Sequence, residues 1–274
     1  MSLFKFFFFL FIIISSAQCQ TESSFINLIK MYIQNGVSNE VLLNLIEFIR
    51  RRNMHNFPNN YEKNRKAFQT HLNTIKNNQG FIEDQDSYNN MFYGIRKISY
   101  NGCGVIAAYN VIHFLTGRDN IDFPAIIQAF ENDGIILRGL FGTSMKAVDE
   151  YLQKQGFVTK SSWKNVEYDK IGQDYDAFVL TIYNSKTDIF KGMHFIAITK
   201  KSGKFYVHNN GRNSASIAYY SISDILNRIN GGNAKDIYLT GAKKGINKYS
   251  YNSKQNKVKH FINNVFRRGI RFKF

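Results

Sequence analysis

Helical and strand patterns are segregated along this chain, and their order constrains the fold more than any other feature. Cys103 to Leu115, Asp122 to Asn132 and Thr143 to Gln155 read as helices, the last closed by Gly156. The segments "DAFVLTIYN", "HFIAITKK" and "KFYVHN" then read as strands, and the Ser-Gly of "KKSGKF" is a hairpin signal between the last two. "SISDILNRI" follows as a short helix behind a Ser or Asp cap, and "DIYLTGAKK" is a final strand. Helices followed by a run of strands predict an α+β fold rather than alternating α/β. No internal repeat interrupts this order.

The flanks have a different character. The opening "MSLFKFFFFLFIIISSAQCQ" has one basic residue, Lys5, then an apolar run from Phe6 to Ile14, with small residues Ser15 and Ala17 placed for cleavage before Gln18. This predicts a signal peptide over 1–17 and a secreted protein. The run is well short of the roughly 20 apolar residues a membrane span requires. Residues 18–80 form an N-terminal helical extension: Phe25, Leu28, Ile29, Tyr32 and Ile33 fall at helical spacing, as do Leu42, Leu45, Ile46 and Ile49. A third helix is predicted in "NNYEKNRKAFQTHLNTIKNN", after Pro58. The main domain is placed at 81–241, and a basic tail at 242–274.

Asp236 is the last acidic residue, and ten Lys and Arg follow it, most of the formal net charge of +16. Val258, Phe261, Ile262, Val265 and Phe266 make one helical stripe within the tail. A basic amphipathic helix suits an anionic membrane surface or an acidic polymer; it suits equally a terminal helix docked on the domain with its lysines in water. No nucleic-acid-binding motif accompanies the charge, so no specific nucleic acid partner is expected.

Chemistry concentrates at Cys103. Secreted chains usually pair their cysteines, yet after cleavage this one keeps Cys103 and at most Cys19. Stability must then come from packing, for which about 255 residues suffice. "YNGCG" sets Cys103 at a helix start, where the helix dipole lowers a thiol's pKa, and a neighbouring imidazole lowers it further. Gly102 and Gly104 leave room for a substrate carbonyl. The competing reading is a buried structural cysteine.

Six histidines could supply the base. His113 lies ten residues along the same helix, about 15 Å away, too far to pair. His55, His71 and His260 sit in the flanks and read as surface or packing residues. His194 opens a strand, where its ring can face a helix N-terminus across a cleft. Asn209 ends the return strand of the same hairpin, so its side-chain amide could hold the His194 ring, with His208 on the opposite face. Asn210 is the fallback if the register slips by one. A zinc site is not expected, because paired ligand spacing is absent, and no cofactor is implied.

The Gly-Cys-Gly helix start, "LFGTSMKAVDEYLQKQGF" and the His194 hairpin ending in "YVHN" together resemble the papain-like superfamily of cysteine peptidases. More narrowly, they resemble its peptidase C39-like branch, over about Tyr93 to Leu239. The resemblance implies a cysteine-bearing helix packed on an antiparallel sheet, with Cys103 as nucleophile, His194 as general base and acid, and Asn209 as the orienting residue. Members more often have Asp in that third place, and Asn is usual in papain. It implies thiol-dependent hydrolysis of a peptide or protein substrate. These families place a Gln six residues before the cysteine to help bind the oxyanion; here that residue is Lys97, and no Gln lies between Asn90 and Cys103. Asn101, or the Cys103 backbone N–H, is the substitute donor. "RKAFQTHLNTI" faintly resembles an inhibitory propeptide helix, with His71 where Asn is usual. Two alternatives stay open: an acyl transferase of transglutaminase type on the same triad, and a catalytically inactive binding protein acting through its tail.

Overall fold

The computed structural model describes residues 38–52, 59–184, 192–211 and 214–245. The expected signal peptide, the first predicted helix and nearly all of the basic tail lie outside them. The described helices are α1 (Asn39–Arg52), α2 (Tyr61–Gln69), α3 (Leu72–Asn77), α4 (Ile98–Asn101), α5 (Cys103–Thr116), α6 (Phe123–Asn132), α7 (Met145–Lys154), α8 (Tyr168–Asp174) and α9 (Ile222–Arg228). The strands are β1 (Phe92–Tyr93), β2 (Arg96–Lys97), β3 (Val158–Ser162), β4 (Ala177–Tyr183), β5 (Met193–Lys201), β6 (Lys204–His208), β7 (Ala218–Tyr219) and β8 (Lys235–Lys243). β1 and β2 form a small hairpin; the others form one sheet in the order β3-β8-β4-β5-β6-β7, antiparallel throughout. The fold is α+β, with helices packed on an antiparallel sheet.

Local chemistry explains where the elements start and turn. The Asp122 carboxylate accepts from the Ala125 N–H at the start of α6, Ser144 from Ala147 at α7, and Ser221 from Asp224 at α9. Gly117 closes α5 at φ 66°. Ser202 and Gly203 both have positive φ, 52° and 74°, the geometry a two-residue hairpin needs to match strand twist.

The sheet is covered on both faces, which is why β4 is buried along its whole length and reads as continuous apolar sequence. Val179, Phe195, Ala197 and Ile237 face the larger core, built on α5 with α1, α6 and α7. Phe178, Leu180, Ile196, Ile198 and Val207 face a smaller core shared with α8 and α9. Leu42, Leu43, Leu45, Ile46 and Ile49 of α1 belong to the larger core, so this part of the N-terminal extension packs as an integral layer. The buried Arg50 ties α1 to α7, its guanidinium donating to both oxygens of Glu150 at 3.0 and 3.1 Å.

The single helix predicted after Pro58 is two. It breaks at Thr70 and His71, where the Thr70 hydroxyl donates to the Ala67 carbonyl and competes with the helix for it. The His71 ring stacks on Tyr88 at 4.2 Å. The β1–β2 hairpin, α4, the edge strand β3, α8 and β7 had no sequence reading. All are short, and "VTKSS" carries little apolar alternation.

Candidate active site

Cys103 is the first residue of α5, and His194 is the second of β5. They meet because the sheet is staggered. β6 stops pairing with β5 at His208, opposite Ala197, so β5 runs on through Met193–Ile196 without a β6 partner. The start of α5 lies against this overhang. The Cys103 thiol is hydrogen-bonded to His194, and its sulfur accepts from the main-chain N–H groups of Phe195 and Gly104.

These contacts set the charge state. Burial alone would push the thiol's pKa up, but the His194 hydrogen bond and charge, with the two main-chain donors, outweigh it and bring the thiol below its ordinary value. Burial likewise opposes charge on His194, and is overcome by Cys103, by the Asn209 carbonyl and by nearby Asp86, so the imidazole titrates above its ordinary value. Shifts of opposite sense favour a thiolate–imidazolium pair between them. The thiolate also sits at the positive end of the α5 dipole.

The orienting contact differs from the sequence expectation. His194 Nε2 donates to the main-chain oxygen of Asn209 at 2.8 Å, whereas the Asn209 side chain turns to Gln85. Its Oδ1 accepts from the Gln85 N–H at 2.9 Å. The reason is conformational: Asn209 has φ 59°, a left-handed turn that Asn tolerates better than most residues, and this turn aims the carbonyl back at the ring. Because a carbonyl can only accept, Nε2 carries a hydrogen and Nδ1 is left to exchange a proton with the thiol.

The Asn101 amide, the oxyanion donor expected from sequence, is committed elsewhere. Its Nδ2 is spent on the carbonyls of Tyr93, at 3.1 Å, and Gly139, at 2.6 Å, in a buried position. Lys97 is exposed, with its ammonium 3.8 Å from the centroid of the Phe92 ring. The flanking glycines serve packing rather than substrate approach: a Cβ on Gly102 would meet Ile98, and one on Gly104 would meet Thr143 at 2.6 Å.

A cleft of about 590 Å³ opens at His194, lined also by Asn209, Asn210 and the 83–86 segment among others. Cys103, 8% exposed, is not among its lining residues. The 83–86 segment carries side chains that no sequence signal singled out. Gln85 Nε2 donates to the carbonyls of Ile98 and Ser99 at 3.0 and 3.1 Å. Glu83 binds the His208 ring, with Nδ1 to Oε1 at 2.5 Å, and accepts the Asn209 N–H at 3.1 Å. A search for Gln close to Cys103 in sequence stops short of Gln85, and Glu83 meets the hairpin only through a tertiary contact.

None of the described residues of α1, α2 or α3 lines the cleft. His113 bonds the carbonyls of Gln79 and Arg118 and takes no part in the site. Among the described residues no group of His, Cys, Asp and Glu side chains could hold a metal ion, and no helix is long and apolar enough to cross a membrane.

No model of a known protein family matches the chain, and no curated protein matches it. Among solved structures, the chain is similar to the peptidase domain of Streptococcus ComA, a bifunctional ABC transporter involved in a quorum-sensing pathway. The identity is 13% and the TM-score 0.36, over 56% of this chain and 100% of that one.

Proposed function

We propose that this chain is a cysteine peptidase of papain-like type that cleaves peptide bonds through an acyl-enzyme on Cys103. The reading is carried by one observation: a thiol at a helix N-terminus, hydrogen-bonded to an imidazole whose far nitrogen is fixed by a carbonyl. That constellation is an activated nucleophile with its base and orienting group.

The chemistry follows from the tautomer. The Cys103 thiolate attacks the scissile carbonyl carbon, and the carbonyl π electrons move onto oxygen. With Asn101 committed elsewhere, the Cys103 main-chain N–H at the helix start is the remaining candidate for holding that oxyanion. On collapse the C–N bond breaks, and the Nδ1 proton of the His194 imidazolium passes to the leaving amine, giving a thioester and neutral imidazole. Nδ1 then takes a proton from water, whose oxygen attacks the thioester. The thiolate departs with the C–S electrons, and the carboxyl product leaves the ion pair restored. Throughout, Nε2–H stays on the Asn209 carbonyl. With residues 1–17 read as an export signal, the substrate is an extracellular peptide or protein.

The test is alkylation of Cys103 by iodoacetamide and by a peptidyl electrophile across pH 4 to 9, beside peptide hydrolysis. Reaction should begin well below the ordinary thiol range near pH 8.5 and require both His194 and the fold. The acid limb falls below that range because the thiol's pKa is lowered; the alkaline limb lies above the ordinary imidazole value because that of His194 is raised. Cys103→Ala should abolish labelling and hydrolysis. A thiol that reacts only above pH 8 and ignores His194→Ala would overturn the reading.

A further inference from the structure

The contact that orients His194 is itself held from outside the hairpin. Asn209 lies just beyond the last β6 pairing, in a left-handed conformation, so the sheet ladder does not fix its carbonyl. Three bonds to the 83–85 segment do, the longest from Asn209 Nδ2 to Gln85 Oε1 at 3.4 Å. The Asn209 N–H donates to Glu83 Oε2 at 3.1 Å, and its side-chain Oδ1 accepts from the Gln85 N–H at 2.9 Å. Glu83 is fixed in turn: its Oε1 meets His208 Nδ1 at 2.5 Å, and His208 Nε2 meets the Thr199 hydroxyl at 2.9 Å. The His208 ring is buried and stacks on Phe81, with centroids 4.0 Å apart. A chain of contacts therefore runs from Thr199 through His208, Glu83 and the Asn209 peptide to the His194 ring.

We propose that Glu83 is a positioning residue for His194, acting through the Asn209 main chain. One carboxylate oxygen grips the β6 end through His208, and the other sets the Asn209 peptide whose carbonyl receives Nε2–H. Bonds to a carboxylate are stronger than neutral ones, so this grip resists rotation of the Asn209 peptide. The proposal rests on the peptidase reading for the identity of the pair, but its consequence for the His194 ring can be measured without catalysis.

The experiment is a titration of His194 by NMR of histidine-¹⁵N-labelled protein, in the wild type and in Glu83→Ala, Glu83→Asp and Glu83→Gln, with a thermal melt of each. Removing the acceptor in Glu83→Ala frees the Asn209 peptide, and the His194 imidazolium loses a well-aimed partner. Its pKa should fall by about one unit, and kcat/KM by about a hundredfold, expressed in kcat rather than KM. Glu83→Gln keeps an acceptor for the Asn209 N–H and can donate to a neutral His208 Nδ1, so it should return most of both properties. Glu83→Asp keeps the charge but is one methylene too short to hold both partners; it should shift His194 in the same direction as Ala, and it carries the test if the Ala variant fails to fold. A folded Ala or Asp variant with the wild-type His194 titration would overturn the proposal, even if its melting temperature dropped, since that pattern marks a merely structural tie. A wild type that hydrolyses no peptide, yet whose His194 titration moves with Glu83, would instead sink the peptidase reading and leave the positioning role standing.

Discussion

At Asn209 the side chain and the main chain have separate tasks. The left-handed φ favours Asn or Gly, and the carbonyl, which any residue possesses, accepts the hydrogen bond from His194 Nε2–H. Asn209→Gly should therefore keep hydrolysis within about tenfold of wild type, having lost the bond from the Gln85 N–H, which contributes about 1 kcal/mol, and a longer one to Gln85 Oε1 at 3.4 Å. Asn209→Val, forced into a conformation a β-branched residue resists, should lose far more. Kinetics of the two variants against His194→Ala decide the matter. Equal, near-complete loss in Gly and Val would return the orienting role to the amide. The side-chain reading was natural from sequence, because a hairpin shows which residues share an end but not which way a peptide plane faces after the last ladder bond.

For the elements, the position of α5 decides whether the pair meets. Gly104 lets the first turn of α5 approach Thr143, just before α7, and an added Cβ would lie 2.6 Å from the Thr143 Cβ. Gly104→Ala gains helix propensity of about 1 kcal/mol but must push the two segments apart. Overpacking of this kind costs about 1–3 kcal/mol, so a net loss in denaturant unfolding is expected, accompanied by slower Cys103 alkylation as the Gly104 N–H leaves the sulfur. Unchanged stability would mean that the α5 start has slack the structure does not show. The stagger between β5 and β6 matters equally. Had β6 paired along the whole of Met193–Ile196, that overhang would have been taken up by the ladder.

On the scale of the whole molecule, the charge is concentrated in sequence after Asp236, far from Cys103 and His194. Eight of the ten positive charges that follow Asp236 lie in 246–274. Deleting those residues should weaken cosedimentation with anionic vesicles, most visibly at low salt where screening is least, and leave peptide hydrolysis unchanged. Vesicle binding that survives the deletion would place the anionic contact elsewhere on the protein. The sequence by itself determined the order of the longer helices and strands from Cys103 onward, though not β3, α8 or β7, together with the hairpin at Ser202–Gly203 and the nomination of Cys103 and His194 as a candidate pair. Those features are local, written in apolar period, capping residues and turn chemistry within a few positions. Only the tertiary structure decided that the Asn209 carbonyl rather than its amide meets His194, that Asn101 is spent on Tyr93 and Gly139, and that Glu83 and Gln85 bond to Asn209. Each of those depends on where a polar group from a distant segment comes to rest, and burial, which obliges such groups to find partners, exists only once the chain has folded.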